Sequence, residues 1–250
     1  MKMKVTLVQM DIAWCDVASN RQRAEQQMLA SAGSDLYVLP EMWNTGFALK
    51  PQEIAEAPDG ETLRWMQQMA RRLDAAVAGS MAVCEGANYR NRLYFVTPDA
   101  MFYYDKHHLF SYSGEDRQFL AGDKRVVAEW RGVRFLLSVC YDLRFPLWLR
   151  CHEDYDALIC VASWPTARAD AWRILLRARA IENQCYVLGV NRVGEDPACE
   201  YFGGSAFVNP YGEAKECPDG VASSLTADID IPALRHFRQK FTSLAERDIL

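Results

Sequence analysis

The sequence predicts an α/β protein in which two packed β-sheets are flanked by helices. Roughly ten apolar runs of strand length occur along the chain, helical patterns separate several of them, and one neighbouring pair is typical of a hairpin. About ten strands are many for one open twisted sheet, so two packed sheets fit the pattern better. Hairpins add antiparallel pairs, and the sheets are therefore expected to be mixed.

The predicted elements follow from the period of the apolar residues and from the turn residues between them. The strands are predicted over residues 5–9, 36–40, 75–82, 92–96, 101–104, 133–139, 157–161, 186–191, 204–208 and 224–229. Helices are predicted over 19–32, with Ser19 as the N-cap, over 61–73 and over 171–183, and a short helix is predicted after Pro146. Residues 97–100 predict the hairpin turn. No repeat or linker divides the chain, so residues 1–250 are expected to form a single domain.

The composition is that of an ordinary globular protein, with 50% hydrophobic and 24% charged residues among 250. The net charge is −5 and the basic residues are not concentrated in one stretch, so no nucleic-acid partner is expected. No apolar run reaches the length that spans a bilayer, and the first residues lead directly into a strand rather than a secretory signal. No membrane association and a cytoplasmic location are therefore expected.

The cysteine pattern favours free thiols over disulfides, because no C-x-x-C pair or regular spacing occurs in a chain expected to be cytoplasmic. The eight cysteines are Cys15, Cys84, Cys140, Cys151, Cys160, Cys185, Cys199 and Cys217. Most are expected to be small buried residues. A metal site is not expected, because the adjacent His107 and His108 would point to opposite faces of a strand and no other ligand spacing completes a site.

Three apolar strands each end in a residue that can take part in covalent catalysis. Glu41 follows the run 36–40, Lys106 follows the run 101–104 after one acid, and Cys140 follows the run 133–139. Each alone has an ordinary interpretation, as an exposed acid, a surface lysine and an inert core thiol. Together they supply a nucleophile, a proton carrier and a cation for an oxyanion, which are the parts of a covalent hydrolase.

Longer motifs around these residues resemble the nitrilase-like carbon–nitrogen hydrolases. The resemblance covers nearly the whole chain and preserves the order of the family's motifs. The motifs are residues 39–41, 104–110, 113–116 with Phe119 and Gly122, 140–146, 162–165, 177–183, 203–205 and 209–213. The resemblance implies an αββα sandwich, no cofactor, and a homodimer or higher homo-oligomer in which helix 171–183 and the residues after Cys140 lie near the interface.

The resemblance also implies a reaction. Residues 140–146 together with Ser163-Trp164-Pro165 are similar to the omega-amidase branch, which hydrolyses the terminal amide of 2-oxo-dicarboxylic acid monoamides such as 2-oxoglutaramate and 2-oxosuccinamate. Tyr141-Asp142 stands where nitrilases commonly have Trp-Glu, which favours an amide over a nitrile. An N-carbamoyl compound, an aliphatic amide or a nitrile is the alternative substrate class.

Residue roles follow from the resemblance and from the chemistry of the side chains. Cys140 would attack the amide carbon while Glu41 carries protons, and Lys106 with the backbone N–H of Tyr141 would bind the oxyanion. Glu115 resembles the family's second glutamate and is assigned to positioning Lys106 and the substrate nitrogen.

The predicted substrate pocket is small and partly aromatic. Its aromatic candidates are Trp43, Phe47, Tyr112 and Trp164, for which core or dimer contacts are the alternative interpretation. Arg144 and Arg168 are candidates for binding a substrate carboxylate, because arginine pairs with carboxylates through two hydrogen bonds. A structural ion pair is the alternative for Arg144.

Two other classes of function remain open at the level of the sequence. A non-catalytic interaction module could retain the fold, but the intact trio argues against it. A thiol redox protein would need a resolving cysteine near Cys140, and Cys151 is the nearest in the sequence.

Overall fold

The computed structural model describes residues 2–246, which contain fourteen strands and five α-helices. The strands are β1 (Lys2–Gln9), β2 (Leu36–Val38), β3 (Ala76–Glu85), β4 (Asn88–Val96), β5 (Met101–Asp105), β6 (Val127–Trp130), β7 (Val133–Val139), β8 (Ala157–Ala162), β9 (Tyr186–Asn191), β10 (Val193–Glu195), β11 (Glu200–Phe202), β12 (Ala206–Val208), β13 (Ala214–Glu216) and β14 (Ser223–Asp230). The helices are α1 (Val17–Ala30), α2 (Pro51–Ile54), α3 (Glu61–Leu73), α4 (Ala169–Glu182) and α5 (Ile231–Lys240).

Most strands belong to two six-stranded sheets. The first has the order β14-β1-β2-β3-β4-β5 and the second has the order β13-β12-β9-β8-β7-β6. Parallel pairs lie at the centre of each sheet, β1-β2-β3 in one and β7-β8-β9 in the other, and antiparallel strands lie outside them. The prediction of two mixed sheets is therefore confirmed.

Apolar side chains fill the space between the sheets. Val5 and Phe95 of the first sheet share one buried cluster with Phe135 and Ile159 of the second. The rings of Phe95 and Phe135 meet across the interface with centroids 5.5 Å apart. Alternate residues along a strand point to opposite faces, so each central strand is apolar on both faces when helices cover the outside.

The helices cover the outer faces of the sheets and complete four layers. Met28 of α1 and Met66 of α3 are buried with residues of the first sheet, whereas Trp172 and Leu176 of α4 pack on the second. The arrangement is the expected αββα sandwich. No helix within residues 2–246 is both long enough and apolar enough to cross a membrane.

Several predicted boundaries hold and others are wrong. Helix α3 begins and ends where its spacing predicts, and β4 and β5 form the predicted hairpin. Helix α1 begins earlier than predicted, because the side chain of Asp16, rather than Ser19, caps it by accepting a hydrogen bond from the Ser19 N–H at 3.0 Å. The short helix predicted after Pro146 is a 3₁₀ turn before it, over Cys140–Arg144.

Four short strands were not predicted. They are β6, β10, β11 and β13, each of three or four residues. Their sequences include charged residues and alternate too briefly to reveal a period of two. The hairpin of β10 and β11 matters most for function, because the turn between these strands contributes to the cavity described below.

The carboxyl ends of strands from the two sheets meet at one edge of the sandwich. Glu41, shortly after β2, donates its backbone N–H to the carbonyl of Ala162 at the end of β8, at 3.5 Å. Ser163 returns a hydrogen bond from its backbone N–H to the Glu41 carboxylate at 2.8 Å. This edge brings the catalytic candidates together.

Candidate active site

Cys140 occupies a sharp turn immediately after β7. Its φ is 47°, in the left-handed region that costs a non-glycine residue roughly 1–2 kcal/mol. The turn continues as one 3₁₀ turn through Arg144 and leaves Cys140 partly exposed on a cavity. A strained strand-to-turn junction that presents a nucleophile is known from other hydrolases.

Asp142 ties this turn to the segment that carries Lys106. Its fully buried carboxylate accepts hydrogen bonds from Val139 N at 3.0 Å and from Tyr104 Oη at 2.8 Å. It also accepts from both the backbone N–H and Nδ1 of His108 at 2.9 Å. These contacts hold the ends of β5 and β7 at a set separation. Sequence reasoning assigned Asp142 no positioning role.

Lys106, Glu41 and Glu115 form a fully buried ionic cluster. Lys106 Nζ lies 2.9 Å from Glu41 Oε1 and 2.8 Å from Glu115 Oε2, and none of the three side chains is exposed. Removing charges from water is costly unless they are paired and hydrogen-bonded, and both conditions are met here. The Phe47 ring lies 5.4 Å from Nζ and forms another side of this enclosure.

Neutral donors complete the coordination of Glu41. Its Oε2 accepts from Ser163 N, and its Oε1 accepts from Asn91 Nδ2 at 2.8 Å as well as from Lys106. Asn91 Nδ2 also donates to Glu115 Oε1 at 3.1 Å. Sequence reasoning missed Asn91, because it lies between Arg90 and Arg92, ahead of the apolar part of β4, and its burial is seen only in the structure.

The electrostatics of the site keep the thiol protonated at rest. Burial raises the pKa of Cys140 well above its usual value, and the adjacent Glu41 carboxylate raises it further while Lys106 opposes the shift. Burial alone would lower the pKa of Lys106, but Glu115 and Glu41 outweigh it and hold that pKa well above its usual value. Burial also raises the pKa of Glu115, against the influence of Lys106. A thiolate must therefore be formed by transfer of the proton to a neighbouring base.

The cavity above the cluster has a volume of about 500 Å³. Glu41, Lys106 and Cys140 all line it, so the three residues predicted from separate strand ends share one site. The predicted pocket residues that line the same cavity are Phe47, Tyr112, Tyr141, Arg144, Trp164 and Arg168. Glu115 does not line the cavity, because it is buried against Lys106.

Trp43 is a correction to the predicted pocket. It is fully buried in the core between the first sheet and its helices, where its ring lies 5.1 Å from that of Trp65. The chain after Glu41 runs along β3, with Trp43 N donating to Ser80 O, and the indole covers Gly79 so closely that a Cβ there would lie 2.8 Å from it. Trp43 is therefore a core residue, the alternative considered for the aromatic candidates.

The two arginines lie against aromatic walls of the cavity. Arg144 Cζ is 4.9 Å from the centre of the Trp164 ring, and Arg168 Cζ is 5.2 Å from that of Phe110. Neither guanidinium forms an ion pair with a carboxylate of residues 2–246, so the structural ion pair considered for Arg144 is not found there. Guanidinium groups stacked on rings keep their N–H edges available for an anion.

Part of the wall was absent from the predicted site. Trp14 lines the cavity from the loop after β1, and Asp196, Cys199 and Tyr201 line it from the hairpin of β10 and β11. Asp196 is held by Tyr201, whose hydroxyl donates to its carboxylate at 2.6 Å. These residues lie far in sequence from Glu41, Lys106 and Cys140, and no motif identified them. No group of three or more His, Cys, Asp or Glu side chains within the described chain could hold a metal ion.

Comparison with known proteins identifies the family. The family model described as carbon–nitrogen hydrolase matches residues 4–239. The chain belongs to the carbon–nitrogen hydrolase family. The resemblance seen in the sequence is thereby confirmed.

Curated relatives of this carbon–nitrogen hydrolase include amidases. It is 41% identical over 249 residues to omega-amidase YafV of Yersinia enterocolitica, a match covering 98% of this chain and 97% of the relative. It is 33% identical over 246 residues to 2-oxoglutaramate amidase of Bacillus subtilis (strain 168), covering 96% and 95%.

A solved structure supports the same membership. The carbon–nitrogen hydrolase superposes with a TM-score of 0.97 on a CN-hydrolase superfamily protein from Xanthomonas campestris, whose crystal structure has an arsenic adduct in the active site. The two are 40% identical, and the match covers 100% of this chain and 98% of the other.

Proposed function

We propose that this enzyme hydrolyses the terminal amide of a small 2-oxo-dicarboxylic acid monoamide, of the 2-oxoglutaramate or 2-oxosuccinamate type, through a thioester on Cys140. The observation that carries the proposal is the trio of Glu41, Lys106 and Cys140 at one cavity that also presents two arginines. Similarity to an omega-amidase and to a 2-oxoglutaramate amidase supports the choice of substrate.

The first half of the reaction forms the acyl-enzyme. Glu41 accepts the Cys140 thiol proton as Sγ forms a bond to the amide carbon, and the carbonyl electrons move onto oxygen. Lys106 Nζ and the backbone N–H of Tyr141 stabilise that oxyanion. The Tyr141 N–H suits this role because it lies at the start of a 3₁₀ turn, where backbone N–H groups lack partners within the turn.

The second half releases the products. The tetrahedral intermediate collapses, the C–N bond breaks, and Glu41 gives its proton to the leaving ammonia. A water molecule, deprotonated by Glu41, then attacks the thioester, and Cys140 leaves with that proton as a thiol. The net change is amide plus water to carboxylic acid plus ammonia, and it needs no metal or organic cofactor.

Glu115 is assigned to positioning Lys106. Its Oε1 and Oε2 lie 3.1 Å and 2.8 Å from Nζ, and Oε2 also accepts a hydrogen bond from the backbone N–H of Phe110 at 2.6 Å. Its burial against Lys106 supports an influence on the substrate nitrogen through Lys106 rather than by contact.

Arg144 and Arg168 are assigned to the substrate carboxylate. A 2-oxo acid carries its carboxylate and amide at opposite ends, so amide attack at Cys140 places the carboxylate away from Glu41 and Lys106. Each guanidinium lies at an aromatic wall and has no carboxylate partner among residues 2–246, so it supplies the complementary charge. Phe47, Tyr112, Tyr141 and Trp164 would enclose the short carbon chain.

The competing classes find less support. Another C–N substrate, such as an N-carbamoyl compound, an aliphatic amide or a nitrile, would use the same trio. A plain aliphatic amide or nitrile would give the arginines no carboxylate to bind, and similarity to an omega-amidase and a 2-oxoglutaramate amidase favours an amide over an N-carbamoyl compound. A redox role with Cys151 is disfavoured, because Cys151 is fully buried in the core under α4.

The proposal includes a homodimer in the cytoplasm. Large apolar residues are exposed in the segments that the resemblance places at the interface: Leu147 is 70% exposed, and Ile174 and Ile181 on α4 are 65% and 55% exposed. Burial of such a patch by a second copy would explain it. Eight free thiols suit a reducing compartment. Sedimentation of the protein and of Ile174→Asp tests the dimer, since the variant should sediment as a monomer.

Ammonia release from a panel of substrates tests the function. The panel is 2-oxoglutaramate, 2-oxosuccinamate, glutamine, a plain aliphatic amide and the matching nitrile. The two 2-oxo acid amides should have the highest kcat/KM, and replacing either arginine by Gln should raise KM for them but not for the aliphatic amide. Activity on the nitrile alone would reject the proposal.

A further inference from the structure

We infer that Asn91 is a positioning residue of this active site, whose side-chain amide bridges Glu41 and Glu115 and holds both as ionised carboxylates around Lys106. The inference rests on the proposed function, because it assigns Glu41 the proton-carrying role. Asn91 lies at the fourth position of β4 and is 1% exposed, so its hydrogen bonds face the protein interior.

Asn91 forms hydrogen bonds with all three residues of the cluster. Asn91 Nδ2 donates to Glu41 Oε1 at 2.8 Å and to Glu115 Oε1 at 3.1 Å, one hydrogen for each carboxylate. Its backbone carbonyl accepts the N–H of Lys106 at 2.9 Å. The amide therefore sets the separation of the two acids and also fixes the chain from which the lysine extends.

The charges explain why a neutral donor is needed at this position. The titratable groups that face the amide are Glu41, Glu115, Lys106 and, beyond Glu41, the Cys140 thiol. Two carboxylates share a single ammonium, and burial and the charge of Glu41 both raise the pKa of Glu115. N–H donors stabilise the ionised form of a carboxylate without adding a charge. Asn91 supplies such a donor to both acids at once.

The surroundings of Asn91 Oδ1 agree with an orientation in which Nδ2 faces the two carboxylates. Asn91 Oδ1 is buried and has no hydrogen-bond partner among residues 2–246. Turning the amide over would bring that oxygen against two carboxylate oxygens and would break both hydrogen bonds. An unsatisfied carbonyl is the smaller cost, so the ionised carboxylates determine which way the amide faces.

Two near-isosteric variants separate a positioning role from simple space filling. Asn91→Leu keeps the volume but removes both donors. Loss of a hydrogen bond to a charged group corresponds to roughly ten- to a hundredfold, which we expect in kcat while KM changes little. A residue that only fills space would tolerate leucine with kcat unchanged.

Asn91→Asp gives a signature that a structural role would not produce. A protonated aspartic acid can donate one O–H to a neighbouring carboxylate, whereas an ionised one adds a third negative charge. The ratio of variant to wild-type kcat should therefore rise as pH is lowered from 8.5 to 6. Asn88→Asp on the exposed end of β4 is the matched control and should show a constant ratio.

The results that would overturn the role of Asn91 differ from those that would overturn the proposed function. Wild-type protein that released ammonia from no amide would reject the proposed function, and the inference would then be decided by crystal structures of the Asn91→Leu and Asn91→Ser variants. Displacement of the Glu41 carboxylate from Ser163 N would support it. Glu41 and Glu115 unmoved in those structures, or an active Asn91→Leu enzyme with wild-type kcat, would overturn it. Asn91→Ser serves if leucine prevents folding.

Discussion

The turn at Cys140 and the interior of the neighbouring strand β8 place two cysteines, Cys140 and Cys160, in contrasting surroundings. Ser138 of β7 pairs in register with Cys160 of β8, and Cys140 follows Ser138 by two residues, so the thiols of Cys140 and Cys160 lie near each other. Burial raises the pKa of both, that of Cys160 to about 12. Burial and proton affinity therefore do not separate a reactive thiol from an inert one.

The difference lies in the backbone and in the nearest base. Cys140 lies one residue beyond its strand, with a positive φ, on the cavity that Glu41 also lines. Cys160 lies within its strand, has no exposed surface and packs in the apolar cluster under α4. A thiol with a raised pKa becomes a nucleophile where a base can take its proton during attack, and only the turn provides one.

Replacing Cys140 or Cys160 by alanine should give the largest difference in kcat between the two sites. Cys140→Ala removes the nucleophile, and we expect kcat to fall by at least about 10³-fold, as when other covalent nucleophiles are removed. Cys160→Ala should retain wild-type kcat and lose about 1 kcal/mol of unfolding free energy. Ammonia release and urea unfolding measure the two effects. Equal loss of kcat in both variants would contradict the distinction.

Removing the base should have the next largest effect. Glu41→Gln keeps the shape of the side chain but cannot accept the thiol proton, so kcat should fall by roughly 10²–10⁴-fold. Glu129→Gln, on the exposed side of β6, is the control and should be silent. A Glu41→Gln enzyme that retained most of its activity would show that another group takes the proton.

Replacing the shared cation tests the buried cluster against an exposed ion pair. Lys106→Met leaves Glu41 and Glu115 without their ammonium, and breaking a buried pair in this way costs about 3–5 kcal/mol of unfolding free energy. Lys50→Met, which breaks an exposed pair with Glu53, should change it by less than about 1 kcal/mol. Urea titrations of both variants supply the comparison, and similar losses would argue against an ionised cluster.

A more gradual effect should appear in alkali. The Cys160 thiol in the unfolded chain ionises near its usual pKa of 9.0, whereas burial raises the folded value to about 12. The unfolded state therefore releases a proton first, and stability should fall between these two pH values by up to about 1.4 kcal/mol per unit for this thiol. Cys160→Ala should show a shallower decline of unfolding free energy with pH. If the unfolding free energy of Cys160→Ala fell with pH as steeply as that of the wild type, a group other than Cys160 would cause the loss of stability.

The meeting of Glu41, Lys106 and Cys140 at one cavity was predictable from the sequence, because each of the three follows an apolar run. Strand ends are visible in the local pattern, and Glu41, Lys106 and Cys140 could be located without knowing which strands pair. The local pattern alone gave the wrong place for Trp43, because the direction of its side chain depends on how the loop after β2 runs along β3.

Residues that act through contacts between distant parts of the chain were not predictable in this way. Asn91 meets Glu41 fifty residues away in the chain, and Asp142 meets Tyr104 thirty-eight residues away. Each is a polar residue whose partner is chosen by the packing of strands or sheets. The hairpin of β10 and β11 was missed for a related reason, because its short strands carry little periodicity of their own.

Mass spectrometry of the enzyme during turnover tests the central claim most directly. Rapid acid quenching after mixing with 2-oxosuccinamate, followed by peptide mapping, locates any acyl group. We predict a hydrolysable acyl adduct on Cys140, none on Cys160, and none in the Cys140→Ala variant. Ammonia release by wild-type enzyme with no acyl group on Cys140, or with one on another residue, would contradict the assignment of Cys140 as the nucleophile.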